Sequence, residues 1–208
     1  MTTQTECKRC GTCCLKGGPV LHTEDLHLIR SAIISFDNLV TIRKNELAYR
    51  PDIDKVVPAE NEFIKIGGKG KTWECLFYDS TNPACLIHEN RPLECRLLEC
   101  WNTAPVTEMI GKECLTRQDI LPADDPLQKY ISAHEELCPY SEINRLLDLL
   151  HSSGNRKDVI GQLSSLVTKD LALRDKAIRE FNLSVNRELF YFGRPVFQVI
   201  DFNIEKYK

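Results

Sequence analysis

Four of the ten cysteines in this 208-residue chain fall within eight positions, Cys7-Lys8-Arg9-Cys10-Gly11-Thr12-Cys13-Cys14. No other stretch constrains the fold as strongly. Two consecutive C-x-x-C steps let the backbone curl so that Cys7, Cys10 and Cys13 face a common centre. Gly11 supplies the dihedral freedom such a curl needs, and its missing side chain lets backbone N–H groups approach sulfur. Neighbouring side chains usually diverge, so Cys14 is expected to serve an adjacent centre or to support the first. Single buried cysteines are common as small hydrophobes, but four at this density match the spacing of metal ligands.

Composition narrows the setting. A chain of this length can bury one sizeable core, or a core with a small appended unit. A net charge of −3 argues against a general nucleic-acid binder. Met1 to Glu6 has neither a basic nor an apolar signal region, so secretion is not expected. No apolar run approaches the ~20 residues of a membrane span. The expected setting is the cytoplasm, where thiols stay reduced and clustered cysteines bind metal rather than form disulfides.

The second half of the cysteine set is spaced more widely. Cys75 is followed by Cys85-Leu86-Ile87-His88-Glu89-Asn90-Arg91-Pro92-Leu93-Glu94-Cys95-Arg96, and then by Cys100. Pro92 pre-sets the first turn of a short helix. Cys95 and Cys100, five apart, lie on different sides of a regular helix, so a break near Cys100-Trp101 is needed to bring them together. Cys114 and Cys138 stand alone. Eight candidate metal ligands remain: Cys7, Cys10, Cys13, Cys14, Cys75, Cys85, Cys95 and Cys100.

The order C-x-x-C-G-x-C-C, a remote C-x-F, then C-x-I-x-x-x-R-P-x-x-C-R resembles the YkgJ family of cysteine-cluster proteins, also described as a zinc- or iron-chelating domain. The resemblance runs to about Trp101. It implies a cytosolic metal-chelating domain, often iron–sulfur, with no settled activity. This chain has His88 where family members often carry an aromatic residue, and His88 could be a ligand, a neighbour that hydrogen-bonds the ligands, or a neutral replacement; the neighbour is the reading favoured here. Arg91 and Arg96 of the signature are expected beside the cofactor. There they would offset thiolate charge and donate to sulfur, the alternative being pairing with Glu89, Glu94 or Glu99.

Periodicity gives an α+β class: a small cysteine-rich domain with a β-hairpin and short helices, then a helical region with a terminal strand. Thr23 caps an expected helix over 24–35. A hairpin over 62–78 pairs Phe63–Ile66 with Thr72–Tyr78 across a glycine- and lysine-rich turn at 67–71, which lacks the spacing of a phosphate loop. Helices are expected over 126–137, from Ser141, around 159–167 and over 171–181. His134 and Cys138 share a helix face and could suit a metal, but a buried thiol ending an amphipathic helix is the simpler reading. Val196–Phe202, apolar and β-branched, is expected to add a strand to the hairpin's sheet. The division is 1–118 for the cysteine-cluster domain and 119–208 for a helical accessory region packed on it.

Two tetrathiolate sites would use all eight sulfurs; so would one cluster plus one zinc, or one cluster with spare thiols. Zinc ribbons prefer two facing C-x-x-C knuckles, and only the first half supplies them. The consecutive knuckles are closer to the way ferredoxins begin to wrap a [4Fe–4S] cluster. An iron–sulfur cluster is favoured over zinc, with a redox or metal-handling role. The alternative is a structural zinc protein whose C-terminal helices bind a protein partner. Thiol–disulfide exchange through Cys7 and Cys10 is a third class. No catalytic base or nucleophile stands out, since the adjacent acids Asp124-Asp125 and Glu135-Glu136 are expected to be solvated.

Overall fold

The computed structural model describes residues 4, 7–70, 72–152 and 156–205. The cysteine knuckle ends in a single helical turn, α1 (Thr12–Leu15). A short helix, α2 (Leu26–Arg30), follows a 3-10 turn over Thr23–Asp25. The cap is His22 rather than Thr23: its backbone N–H donates to Asp25 Oδ2 at 3.0 Å. The helix stops short of Ser35, and Ala32 takes a left-handed φ of 58°.

Four strands come next, β1 (Leu39–Ile42), β2 (Leu47–Arg50), β3 (Lys55–Pro58) and β4 (Phe63–Ile66). β2 and β3 form an antiparallel hairpin, and β1 pairs antiparallel with β4 from Leu39↔Ile66 to Ile42↔Phe63. The expected pairing of Phe63–Ile66 with Thr72–Tyr78 is therefore not formed. Trp73 has a φ of 60°, which breaks the extended backbone a second arm would need. All four residues of β1 are buried, so β4 gains an apolar partner there instead. What remains of the hairpin is the two-residue ladder of β5 (Gly68–Lys69) with β6 (Glu74–Cys75). A second short ladder joins β7 (Tyr78–Asp79) to β8 (Ala84–Cys85).

The rest is helical: α3 (Leu93–Leu97), α4 (Ala104–Met109), α5 (Arg117–Ile120), α6 (Gln128–Leu137), α7 (Tyr140–Ser152), α8 (Arg156–Phe181), α9 (Val185–Phe192) and α10 (Val196–Glu205). The two apolar stretches expected around 159–167 and 171–181 are one continuous helix, α8. None of the described helices is long and apolar enough to cross a membrane. One core joins Leu21, Leu28, Leu39, Ile64, Ile66 and Leu115 to Tyr130, Phe190 and Phe192 of the later helices. A second packs Ile143, Leu146 and Leu147 of α7 against Val159, Leu163 and Leu166 of α8 and Val196 and Val199 of α10.

The terminal strand is thus corrected to a helix. A short β-branched apolar run reads equally as a buried strand or a helix face, and tertiary contacts decide here. Asp170 of α8, fully buried, accepts from the Val196 backbone N–H at 2.9 Å and so caps α10. It also accepts from His134 Nε2 at 2.6 Å and Arg174 Nε at 2.7 Å. Arg174 in turn donates to the carbonyls of Phe192, Gly193 and Arg194. Gly193 (φ 70°) makes the turn possible, because a Cβ there would sit 2.7 Å from the Thr41 carbonyl oxygen.

Burial, together with Arg43 and Arg174, holds the His134 imidazole down at about 4 despite its bond to Asp170. An unfolded histidine titrates near ~6.5, so between these values the unfolded chain binds a proton that the folded one refuses. Stability therefore falls as pH drops through that window. Asp170, whose carboxyl is held below its ordinary value, loses its contribution only at lower pH. The urea midpoint of the wild type should fall more steeply between about pH 7 and about pH 5 than that of His134→Gln, which lacks the titrating ring.

Candidate metal centre

Gly11 opens α1 in the left-handed conformation (φ 76°). A Cβ on it would lie 2.3 Å from Cε2 of Tyr78, so the knuckle rests directly on that ring. Backbone and hydroxyl donors turn toward the first two sulfurs. The Arg9 N–H donates to Cys7 Sγ at 3.4 Å, and Cys10 Sγ lies 3.3 Å from Thr12 Oγ1. Contacts with Thr12 hold the exposed Cys10 thiol below its ordinary value. Cys13 and Cys14 do not diverge as adjacent side chains of an extended chain would. Placed on one helical turn, their sulfurs are 3.9 Å apart, near the ~3.8 Å separation of two sulfurs bonded at ~2.3 Å to one tetrahedral ion.

α1 packs against β6, which carries the buried Cys75 opposite Gly68. Tyr78, under Gly11, pairs directly with Cys85. Cys95 comes in on α3, and two carboxylates fasten that helix to the segment before α2. Asp25 Oδ1 accepts from the Leu93 N–H, and Glu94 Oε2 from the Val20 N–H, each at 2.8 Å. Four segments distant in sequence thus bring sulfur to one region.

The electrostatics report the same convergence. Burial pushes Cys14 up to about 12, with Cys13, Cys75 and Cys85 adding to the rise. Cys95 is raised by burial and then by Cys75, Cys13, Cys14 and Cys85. Cys75 is raised by burial, Cys85 and Cys13, against the backbone N–H of Phe77 and the charge of Lys69. Cys100 is raised by burial and then by Cys13, Cys10 and Cys7. α3 ends at Leu97 and a bridge between Glu99 and Asn102 turns the chain there. The chain turns near the expected break, yet Cys100 lies in reach of Cys13, Cys10 and Cys7 while Cys95 lies in reach of Cys75, Cys13, Cys14 and Cys85. Two neighbourhoods result: an inner one of Cys14, Cys75, Cys85 and Cys95, and an exposed one of Cys7, Cys10 and Cys100. Cys13 borders both.

Cys114 and Cys138 stand apart from this group. Cys114 Sγ donates to the Lys112 carbonyl and Cys138 Sγ to the Leu166 carbonyl, each at 3.6 Å. His134 faces Asp170, as described above. All ten cysteines are free thiols. Among the described residues no group of three or more His, Cys, Asp or Glu stands preformed as a metal site; the sulfurs are gathered rather than clasped. The donor set nevertheless fits a soft metal. Buried thiols that raise one another cannot ionise together, and a bound cation holds them as thiolates and removes that repulsion.

The signature arginines are held by oxygen acceptors. Arg91 Nε donates to the His88 carbonyl at 2.9 Å. Arg96 Nη2 donates to Glu24 Oε1 at 2.5 Å and lies 4.0 Å from Asp25. The cations in electrostatic reach of Cys75 are Lys69 and the half-buried Lys65, whose ammonium burial pushes below its usual value. Lys69 is fixed by Glu74 at 3.0 Å and by the Tyr78 carbonyl. Neither lysine was singled out by the sequence, in which Lys65 belongs to the strand over 63–66 and Lys69 to the turn over 67–71. His88 Nδ1 lies 3.1 Å from Glu89 Oε1.

Fold and sulfur geometry together describe a cysteine-rich first half followed by the helices α6 to α10. A family model described as "Putative zinc- or iron-chelating domain", named for its C-x-x-C-x-x-C-C pattern, matches residues 6–139. The chain belongs to that family, and it is a metal-binding member on the family's description. No curated protein and no solved structure matches it.

The knuckle's seat on Tyr78 can be tested with a paired substitution. Gly11→Ala meets both a left-handed backbone and the Tyr78 ring, whereas Gly111→Ala meets a similar φ (74°) with no atom within 4 Å. A left-handed non-glycine residue costs roughly 1–2 kcal/mol. Gly111→Ala should lose about that much in urea denaturation and keep its bound metal, while Gly11→Ala loses more and binds metal substoichiometrically.

Proposed function

We propose that this chain is a cytoplasmic metal protein in which the eight thiols hold an iron–sulfur cluster, of [4Fe–4S] type, at the inner neighbourhood and a further ion at the exposed one. Its role is redox chemistry or metal handling. The observation that carries the reading is the mutual electrostatic reach of Cys14, Cys75, Cys85 and Cys95, four thiols from four separate segments. Four thiolates are the full complement of such a cluster. Its partial burial keeps solvent from the sulfurs, and Lys65 and Lys69 supply the positive charge and donors that set a cluster's potential. Arg91 and Arg96 act at one remove, fixing the His88 carbonyl and the acidic turn before α2. Zinc remains the other metal this soft donor set accepts.

One observation favours a structural zinc protein with a partner-binding half. An open groove of about 570 Å³ lies between α6 and α8, with Ala133, Leu137, Ala172 and Leu173 in its lining and Lys129, Lys169 and Lys176 among them. An apolar groove of this kind, carrying three lysines, suits a protein partner that presents carboxylates.

Metal analysis of anaerobically purified protein separates the two. The cluster reading expects iron with acid-labile sulfide and a broad brown absorbance that bleaches with dithionite. Colourless protein with stoichiometric zinc supports the structural reading, and protein without either metal defeats both. Cys95→Ser should lose the cluster, whereas Cys114→Ser should keep the wild-type metal content.

A further inference from the structure

We propose that the groove between α6 and α8 receives one amphipathic helix of a partner protein, with two of its carboxylates, seven residues apart, paired with Lys169 and Lys176. The inference rests on the partner-binding reading of this groove and is independent of which metal the sulfurs hold. The two helices run antiparallel: Tyr130 donates to Glu180, His134 to Asp170, and Cys138 to the Leu166 carbonyl. Lys169, Ala172, Leu173 and Lys176 follow the i, i+3, i+4, i+7 spacing of one helix face, and all four line the groove. Ala133 and Leu137, four apart, line it from α6. The two alanines are too small to fill the space between the helices, and an open valley of about 570 Å³ remains. Leu137 at its end is 43 % exposed.

Charge and spacing select the occupant. None of the described residues lining the groove is acidic. The salt bridges on this surface join Lys129 to Glu180 at 3.4 Å and Arg179 to Asp175 at 2.9 Å, and neither Lys169 nor Lys176 has one among the described residues. Lys129 and Lys176 lie over the Tyr130 ring, 5.2 and 5.7 Å from its centroid, which fixes that end of the groove. Seven residues of α-helix span about 10.5 Å and return to nearly the same face, so Lys169 and Lys176 stand at the two ends of an apolar floor. An acidic pair at the same interval on a docked helix meets both. Seven residues of extended chain span about 23 Å and end on the opposite face, so an extended peptide matches neither the charges nor the floor. Exposed ion pairs add little affinity; apolar burial holds such a helix, and the lysines set partner choice and register.

The test is a display selection of stapled, helix-locked peptides against the full-length protein, with leucines fixed on one face and the flanking positions randomised. Enriched peptides should carry Asp or Glu at two positions seven apart. Their binding should fall roughly 10-fold or more in Lys169→Glu/Lys176→Glu and in Ala172→Leu, which fills the groove, with metal content unchanged. A peptide with lysines in place of those acids should prefer the charge-reversed variant to the wild type. Lys169→Gln/Lys176→Gln serves if the reversed variant does not fold. Enriched peptides without the acidic pair, binding that ignores these variants, or tighter binding by the same peptides once a proline breaks the helix overturns this inference alone. Absence of any binder overturns the partner-binding reading with it, and the metal analysis is read separately from both.

Discussion

Repulsion among converging sulfurs is the constraint on which the first half of this molecule depends. Burial alone raises a thiol, and each neighbouring sulfur raises it further, so Cys14, Cys75 and Cys95 together resist ionisation. A scaffold that holds them close must be stabilised elsewhere. The β1–β4 pair and its core supply part of that support. The rest comes from Asp25 and Glu94, whose carboxylates fasten α3, and with it Cys95, to the turn before α2. Asp25 is completely buried, and desolvation raises its carboxyl. The scaffold thus accepts a costly buried acid in order to fix where one sulfur arrives.

The helical half rests on a similar device. Asp170 is the single acceptor shared by His134, Arg174 and the first N–H of α10, and Arg174 reaches past it to three carbonyls of the α9–α10 turn. Breaking one member of such a buried network leaves the others unpaired, which is why networks of this kind specify one arrangement. The first hydrophobic core draws side chains from both sides of residue 119, with Leu21 and Ile64 beside Tyr130 and Phe190. Packing of the helices and placement of the sulfur scaffold are therefore linked.

The sulfur pattern was legible because it is local in sequence: the consecutive knuckles, the glycine on which they turn and a break after Cys95 are all readable as spacing. The class of the fold was legible from periodicity, as was α6. What escaped was set by partners far away along the chain. Val196–Phe202 has the composition of a strand, and only Asp170, twenty-six residues earlier, makes it a helix. Phe63–Ile66 has a local partner in sequence but finds β1 instead, because Trp73 leaves the extended region. Arg96 sits in the metal signature and pairs with Glu24, seventy-two positions away. Lys65, read from the sequence only as part of a strand, ends half-buried in electrostatic reach of Cys75 and Glu94.

These displacements share a logic that bears on the chemistry. Arginine is permanently charged and forms its best contacts with paired oxygens, so the signature arginines are drawn to Glu24, Asp25 and a carbonyl rather than to sulfur. Lysine is a compact charge on a flexible stem and shifts readily when buried, as Lys65 does, burial pushing its ammonium below its usual value. Arginines hold the segments that carry the sulfurs, and lysines lie within electrostatic reach of Cys75. Cys95 is placed by the carboxylates of Asp25 and Glu94, which dock its helix to the segment before α2.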